Sequence, residues 1–199
     1  MEEKVTYFEE MGIVNTGDTL RITRRRADET GVRTLLIAST FGHTIGKAFE
    51  VFDGGGYNFI VVGGEREEFP DEVYQSLVDG GHRVIFNSDY DFSYPEMAWE
   101  ILRRFCEGMK VCVEMTLIAT DLGILAAGEE VIAIAGTGRY GFEEGGRRGH
   151  RHRNRSRGEQ GLLRLRCANP PVEERRQKDQ GDTLQTEVRP KKGVMAPRA

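Results

Sequence analysis

The chain has little cysteine, and what it has is poorly spaced for covalent or metal chemistry. Cys106, Cys112 and Cys167 are the three cysteines in 199 residues. An odd number without metal-type spacing excludes a disulfide framework and a zinc site as organising features. Cys106 and Cys112 lie in apolar segments and read as core residues. Histidine is scarce too. Of the four, His150 and His152 fall in an arginine-rich run, a weak place for a metal, and no metal is expected. Long apolar runs are missing, since no stretch approaches the roughly 20 residues of a membrane helix. The opening Met1-Glu2-Glu3-Lys4 is acidic and has no apolar signal region. These absences read as a cytoplasmic protein without a membrane partner.

Two further absences divide the chain. Aromatic residues stop at Phe142, and residues 144–199 contain no isoleucine. Charge changes sign at the same place. Residues 1–143 hold 13 Lys and Arg against 25 Asp and Glu, a net of −12, whereas residues 144–199 hold 15 against 7, a net of +8. Two kinds of sequence therefore join near residue 145: a body, 1–143, with enough apolar residues for a core, and a basic tail, 144–199.

Within the body, Leu35–Ala38 is a short apolar run of the buried-strand kind, Ser39–His43 is small, polar and glycine-containing, and Thr44–Asp53 places Ile45, Ala48, Phe49 and Phe52 on one helical face. The N–H groups that open a helix have no partner within it, and the helix dipole adds positive potential there. A strand, a hydroxyl-rich turn and a helix thus favour a phosphate or carboxylate. The residues placed to hold one are Ser39, Thr40, Gly42 and Thr44. The competing reading is that Ser39 or Thr40 only caps the helix.

Other elements follow the same signals. Asn15 or Thr16 can cap a helix to about Glu29, with Leu20, Ile22 and Ala27 apolar and Gly31 beyond its end. The Arg24-Arg25-Arg26 run reads as a solvated helix face rather than a polyanion site. Tyr57–Val62 and Arg83–Phe86 are strands. Pro70 begins a helix over Asp71–Val78, and Pro95 opens another through Phe105 that contains Trp99, with Gly108 as punctuation. Met109–Leu122 is strand-like in composition but helix-like in length. Gly128 precedes the strand Val131–Ala135, and Gly136-Thr137-Gly138 follows it. Strands alternating with helices predict an α/β sheet, mostly parallel, with ligands beyond the C-terminal strand ends.

Tyr7-Phe8-Glu9-Glu10, Asn15-Thr16, Arg26-Ala27, Ala38-Ser39-Thr40 with Gly42 and Thr44, Gly108, Lys110-Val111-Cys112-Val113-Glu114, and Glu129–Ile134 with Gly136-Thr137 resemble, in order and spacing over about residues 4–138, a small and mainly archaeal family. Its members are built like the C-terminal α/β domain of pyruvate kinase, without the catalytic barrel. The resemblance implies a three-layer α/β/α fold and a helix at Met109–Leu122. It implies a phosphate site at Ser39, Thr40, Gly42, His43 and Thr44, with Gly136 and Thr137 as a second wall. Flavin mononucleotide (FMN) or a sugar phosphate becomes the implied ligand. The chain departs from the family in a shorter, more acidic segment between Val62 and Pro95. It also lacks the apolar and Phe-Asp-containing strands that follow Gly-Thr in the family.

The tail has three readings. Basic tails bind phosphate backbones, and low-hydrophobicity segments remain disordered. The third is a change of reading frame near Glu143–Arg148. With CGN arginine codons read from their second base, Leu162–Cys167 permits Phe-Phe-Asp-Phe-Asp-Val, a strand of the kind the family has near its end. Read as written, the tail is expected to leave the sheet without its closing strands. Unpaired edges invite association, so a homo-oligomer or a less stable product is expected.

Three functions follow, in order. The first is a binding module for a phosphorylated small molecule, FMN or a sugar phosphate. The second is a flavin-dependent enzyme with His43 and Glu114 as candidate acid–base groups, a buried Glu being able to hold a proton at neutral pH. A structural, hydrogen-bonded carboxylate is the alternative for Glu114, and a solvated turn residue for His43. Nucleic-acid binding through the tail ranks last, because the acidic body repels polyanions.

Overall fold

The computed structural model describes residues 5–9, 12–90, 95–136 and, as backbone, 161–166. Apart from that last segment, the tail 144–199 lies outside the described residues, as do Thr137, His150 and His152.

The first long element is helix α1, Thr16–Thr30, which Gly31 ends in the left-handed region at φ 74°. Its buried residues are Thr16, Thr19, Leu20, Thr23 and Ala27, a threonine-rich stripe that leaves Ile22 at the side. Strand β1, Thr34–Ala38, follows, and helix α2, His43–Phe52, runs back along it with Ile45, Ala48 and Phe52 inward. Strand β2 is Asn58–Gly63, helix α3 is Asp71–Asp79 with Pro70 at its N-cap, and strand β3 is Arg83–Phe86. Helix α4 is Glu96–Phe105, helix α5 is Glu107–Asp121, and strand β4 is Glu130–Ala135. The strand-like Met109–Leu122 segment is therefore helical. The expected break at Gly108 falls instead at extended Cys106, whose Sγ accepts the Met109 N–H at 3.2 Å, so Gly108 sits inside the first turn of α5.

The sheet order is β3-β2-β1-β4-β5, where strand β5 is Gly161–Arg166. Strands β1 to β4 are parallel, and β5 is antiparallel to β4 in a register from Glu130↔Arg166 to Ala135↔Gly161. This corrects the expectation of an open β4 edge: six tail residues, read as written, pair along it. The sequence Gly161-Leu-Leu-Arg-Leu-Arg166 combines apolar and basic residues in a partly alternating pattern that an edge strand tolerates.

Three layers result. On one face, Leu35, Ile37, Phe59, Val61 and Ile132 pack with Leu20 and Ala27 of α1, Ile45, Ala48 and Phe52 of α2, and Leu77 of α3. On the other, Leu36, Ile60, Ile85, Val131 and Ala133 pack with Cys112, Met115, Ile118 and Ala119 of α5. Burial among these apolar neighbours pushes the Cys112 thiol up to about 12, so it is an inert core residue. The arginine run of α1 is an ion-paired face, with Arg25–Glu29 at 4.0 Å and Arg26–Glu29 at 3.5 Å. Among the described residues, no helix is long and apolar enough to cross a membrane.

His82 makes the fold pH-sensitive. Its Nδ1 accepts the Phe59 N–H at 3.3 Å, extending the β2–β3 ladder by one side chain, and its ring lies 4.7 Å from that of Phe59. Burial disfavours the imidazolium and lowers its pKa from the ordinary 6.5. As pH falls below 6.5 the unfolded chain takes up this proton before the folded one, so stability is full above that value and declines beneath it. The urea midpoint is expected to be lower at pH 5.5 than at pH 7.5, and His82→Gln should flatten the difference. An equal decline in His82→Gln would assign it to other groups.

Candidate functional site

The sheet changes direction between β1 and β4. The chain moves outward from β1 through α2, β2, α3 and β3, then returns through α4 and α5 to place β4 on the opposite side of β1. At such a switch point the loops leaving the two strands diverge and open a crevice beyond their carboxyl ends. Here the two loops begin at Ser39 and Gly136, which are separated by most of the body in sequence.

A small cleft occupies this place. Ala38, Ile134, Ala135 and Gly136 form its floor and one wall, Thr44 another, and Thr16, Thr19 and Leu20 of α1 the third. Its volume is about 40 Å³. That is room for a few waters or one oxyanion, since a water needs about 10–15 Å³. Helices α1 and α2 both run antiparallel to β1, so both N-termini meet at the cleft, and two helix dipoles place positive potential there.

The hydroxyls follow the same geometry. Thr16 is only 7% exposed. Thr16 and Thr44 both line the cleft and place a hydroxyl-bearing side chain on each of two walls. A hydroxyl can donate a hydrogen bond to water or to a bound oxyanion. The site thus combines two hydroxyls, two helix N-termini and a backbone wall at Gly136, a donor-rich set that suits an oxyanion.

The remaining sequence candidates have other tasks. Ser39 is buried, its N–H continues the ladder to the Val62 carbonyl at 3.0 Å, and its Oγ accepts the Ile45 N–H at 3.3 Å. Ser39 thus satisfies one first-turn N–H of α2 from outside the helix, whose N-cap position is Gly42. Gly42 stands at φ 78°, and its carbonyl accepts the Gly46 N–H at 2.9 Å. A Cβ on Gly42 would lie 3.0 Å from Pro70 Cδ, so the left-handed backbone favours glycine and a side chain would press on the Pro70 ring. Thr40 is half-buried and packs towards Gly64, where a Cβ would lie 3.0 Å from its methyl group. His43 is half-buried at the first position of α2.

Glu114 belongs to a different cluster. Its Oε2 accepts from Lys110 Nζ at 2.6 Å, and Lys110 Nζ lies 5.1 Å from the centre of the Trp99 ring. Both partners are largely buried, with side chains 11% and 19% exposed. Since α5 covers one face of the sheet and α2 the other, the structure does not bring Glu114 and His43 together. Among the described residues no group of three or more His, Cys, Asp or Glu side chains is arranged to hold a metal ion. Thr16 and Thr19 were not legible as site residues. The Asn15-Thr16 pair gives only a capping signal, and nothing in the sequence shows that α1 begins beside Gly136.

No family model matches the chain. Among solved structures it is similar to a pyruvate kinase of Cryptosporidium parvum, with 10% identity and a TM-score of 0.40 over 76% of this chain and 23% of that one. The Cryptosporidium parvum enzyme in complex with ADP gives 10% identity and a TM-score of 0.41 over 76% of this chain and 24% of that one. A third structure of that organism's enzyme gives 0.39, over 22% of its length. The chain thus spans about a quarter of the length of the pyruvate kinases it matches. The α/β/α architecture stands on the chain's own sheet and helices.

Proposed function

We propose that this protein is a binding module for a phosphorylated small molecule, whose phosphate enters the cleft between the ends of β1 and β4. The observation that supports the reading is the convergence of Thr16, Thr44 and Gly136 on one small cleft at the N-terminal ends of α1 and α2. Thr16 and Thr44 donate to the phosphate oxygens. Ser39 and Gly42 shape the turn, and the two helix dipoles offset the repulsion from an acidic body. The cleft takes the phosphate alone, so the rest of the ligand extends outward past Gly136. FMN or a sugar phosphate meets this requirement.

Thermal unfolding with FMN, ribose 5-phosphate and their dephosphorylated counterparts tests the reading. A ligand at ten times its Kd adds about 1.4 kcal/mol, a rise of several degrees in Tm for a domain of this size. The rise is expected with the phosphorylated compounds only. Thr44→Asp places a carboxylate in the cleft and should abolish it. Equal shifts with riboflavin or ribose, or an undiminished shift in Thr44→Asp, would contradict the assignment.

A further inference from the structure

Helix α4 carries an apolar stripe that no described part of the chain covers. Met97, Ile101 and Phe105 recur every four residues, so they share one face, and they are 74%, 55% and 62% exposed. None of the residues of α4 is buried, and the helix is held through its opposite side, where Trp99 meets Lys110 of α5. Three large side chains aligned in this way differ from the scattered exposed apolar residues of an ordinary surface.

The pattern is self-complementary. Ile101 is the midpoint of the stripe. In an antiparallel pair of α4 helices related by a two-fold axis, Ile101 meets its own copy and Met97 meets Phe105 in both directions. Isologous contacts require this kind of correspondence. Charge follows the same symmetry: the first half of α4 carries Glu96 and Glu100, the second half Arg103 and Arg104. Glu100 and Arg104 flank the stripe on one side, and reversing one helix brings each beside the other of the second copy. Within a single chain Glu100 is bonded by Arg103 at 2.8 Å, which holds its carboxylate at the edge of the stripe. Ala98 on the other flank is small enough for close approach of the backbones.

We propose that this protein forms a two-fold dimer through α4, with Ile101 at the axis and Glu100 of each copy against Arg104 of the other. One helix face per subunit is a small interface, and a dissociation constant of roughly 10–100 µM is expected.

Sedimentation velocity of the full chain over a concentration series tests this. The wild type is expected to pass from monomer to dimer. Ile101→Asp and Arg104→Glu should each raise the dissociation constant at least tenfold, and Glu100→Arg with Arg104→Glu should restore association by exchanging the paired charges. Circular dichroism melts establish that each variant is folded, and the surface charge exchange reports on the interface even if Ile101→Asp unfolds. A wild type that stays monomeric overturns the proposal. So does a dimer unaffected by Ile101→Asp, or a charge-exchanged pair that fails to recover.

Discussion

Ile37→Ala is expected to destabilise the domain by about 3–4 kcal/mol, a large fraction of the 5–15 kcal/mol available to a protein of this size. Ile37 is fully buried on β1, the central strand, opposite Val61 of β2 and Ile134 of β4. Its side chain faces the layer formed by α1 and α2, alongside Leu20, Ile45 and Ala48. Strands on both sides and two helices above prevent the site from collapsing, so removal of the side chain leaves a cavity rather than a relaxed surface. The urea midpoint should fall with little change in slope, since the surface exposed on unfolding is nearly the same. A loss under 1 kcal/mol would mean that β1 is not the packed centre of the sheet.

Gly42→Ala is expected to cost about 2–5 kcal/mol and to abolish ligand binding. Two terms add. A residue with a Cβ in the left-handed region costs about 1–2 kcal/mol, and Gly42 sits at φ 78°. The added methyl would also stand 3.0 and 3.2 Å from the Pro70 ring and 3.6 Å from Val73, and such overpacking costs about 1–3 kcal/mol. Gly31 provides the control. It has nearly the same backbone, φ 74°, but no atom within 4 Å of its would-be Cβ, so Gly31→Ala should show the conformational term alone. The excess of Gly42→Ala over Gly31→Ala then measures the contact with Pro70. Equal losses in chemical denaturation would show that the turn after β1 does not rest on α3.

These two sites also show what was legible in the sequence. Leu35–Ala38 is short, apolar and followed by glycine and hydroxyl residues, so β1 and the turn before α2 could be read locally. The strand ends and the helix-opening prolines at 70 and 95 are local signals of the same kind. The second helical layer was harder, because α5 buries Lys110 and Thr116 beside Cys112 and Met115, which blurs its helical periodicity. The sheet order was not legible, since the return from β3 across β1 to β4 depends on packing between segments remote in sequence. The same crossing brings Gly136 beside Thr44. Thr16 was hidden for another reason: threonine at a helix start signals a cap, while its burial arises from docking α1 on the sheet. Strand β5 escaped because a basic, aromatic-free tail resembles a disordered one until β4 offers it an edge.

The central claim is that a phosphate sits between the carboxyl ends of β1 and β4. Titration of the ¹⁵N-labelled full chain with ribose 5-phosphate, followed by amide chemical shifts, tests this most directly. Saturable shifts should appear at Thr16, at His43 to Ile45 and at Gly136, three segments remote in sequence, and ribose alone should produce none. Shifts confined to the basic tail, or a spectrum unchanged at millimolar ligand, would contradict it.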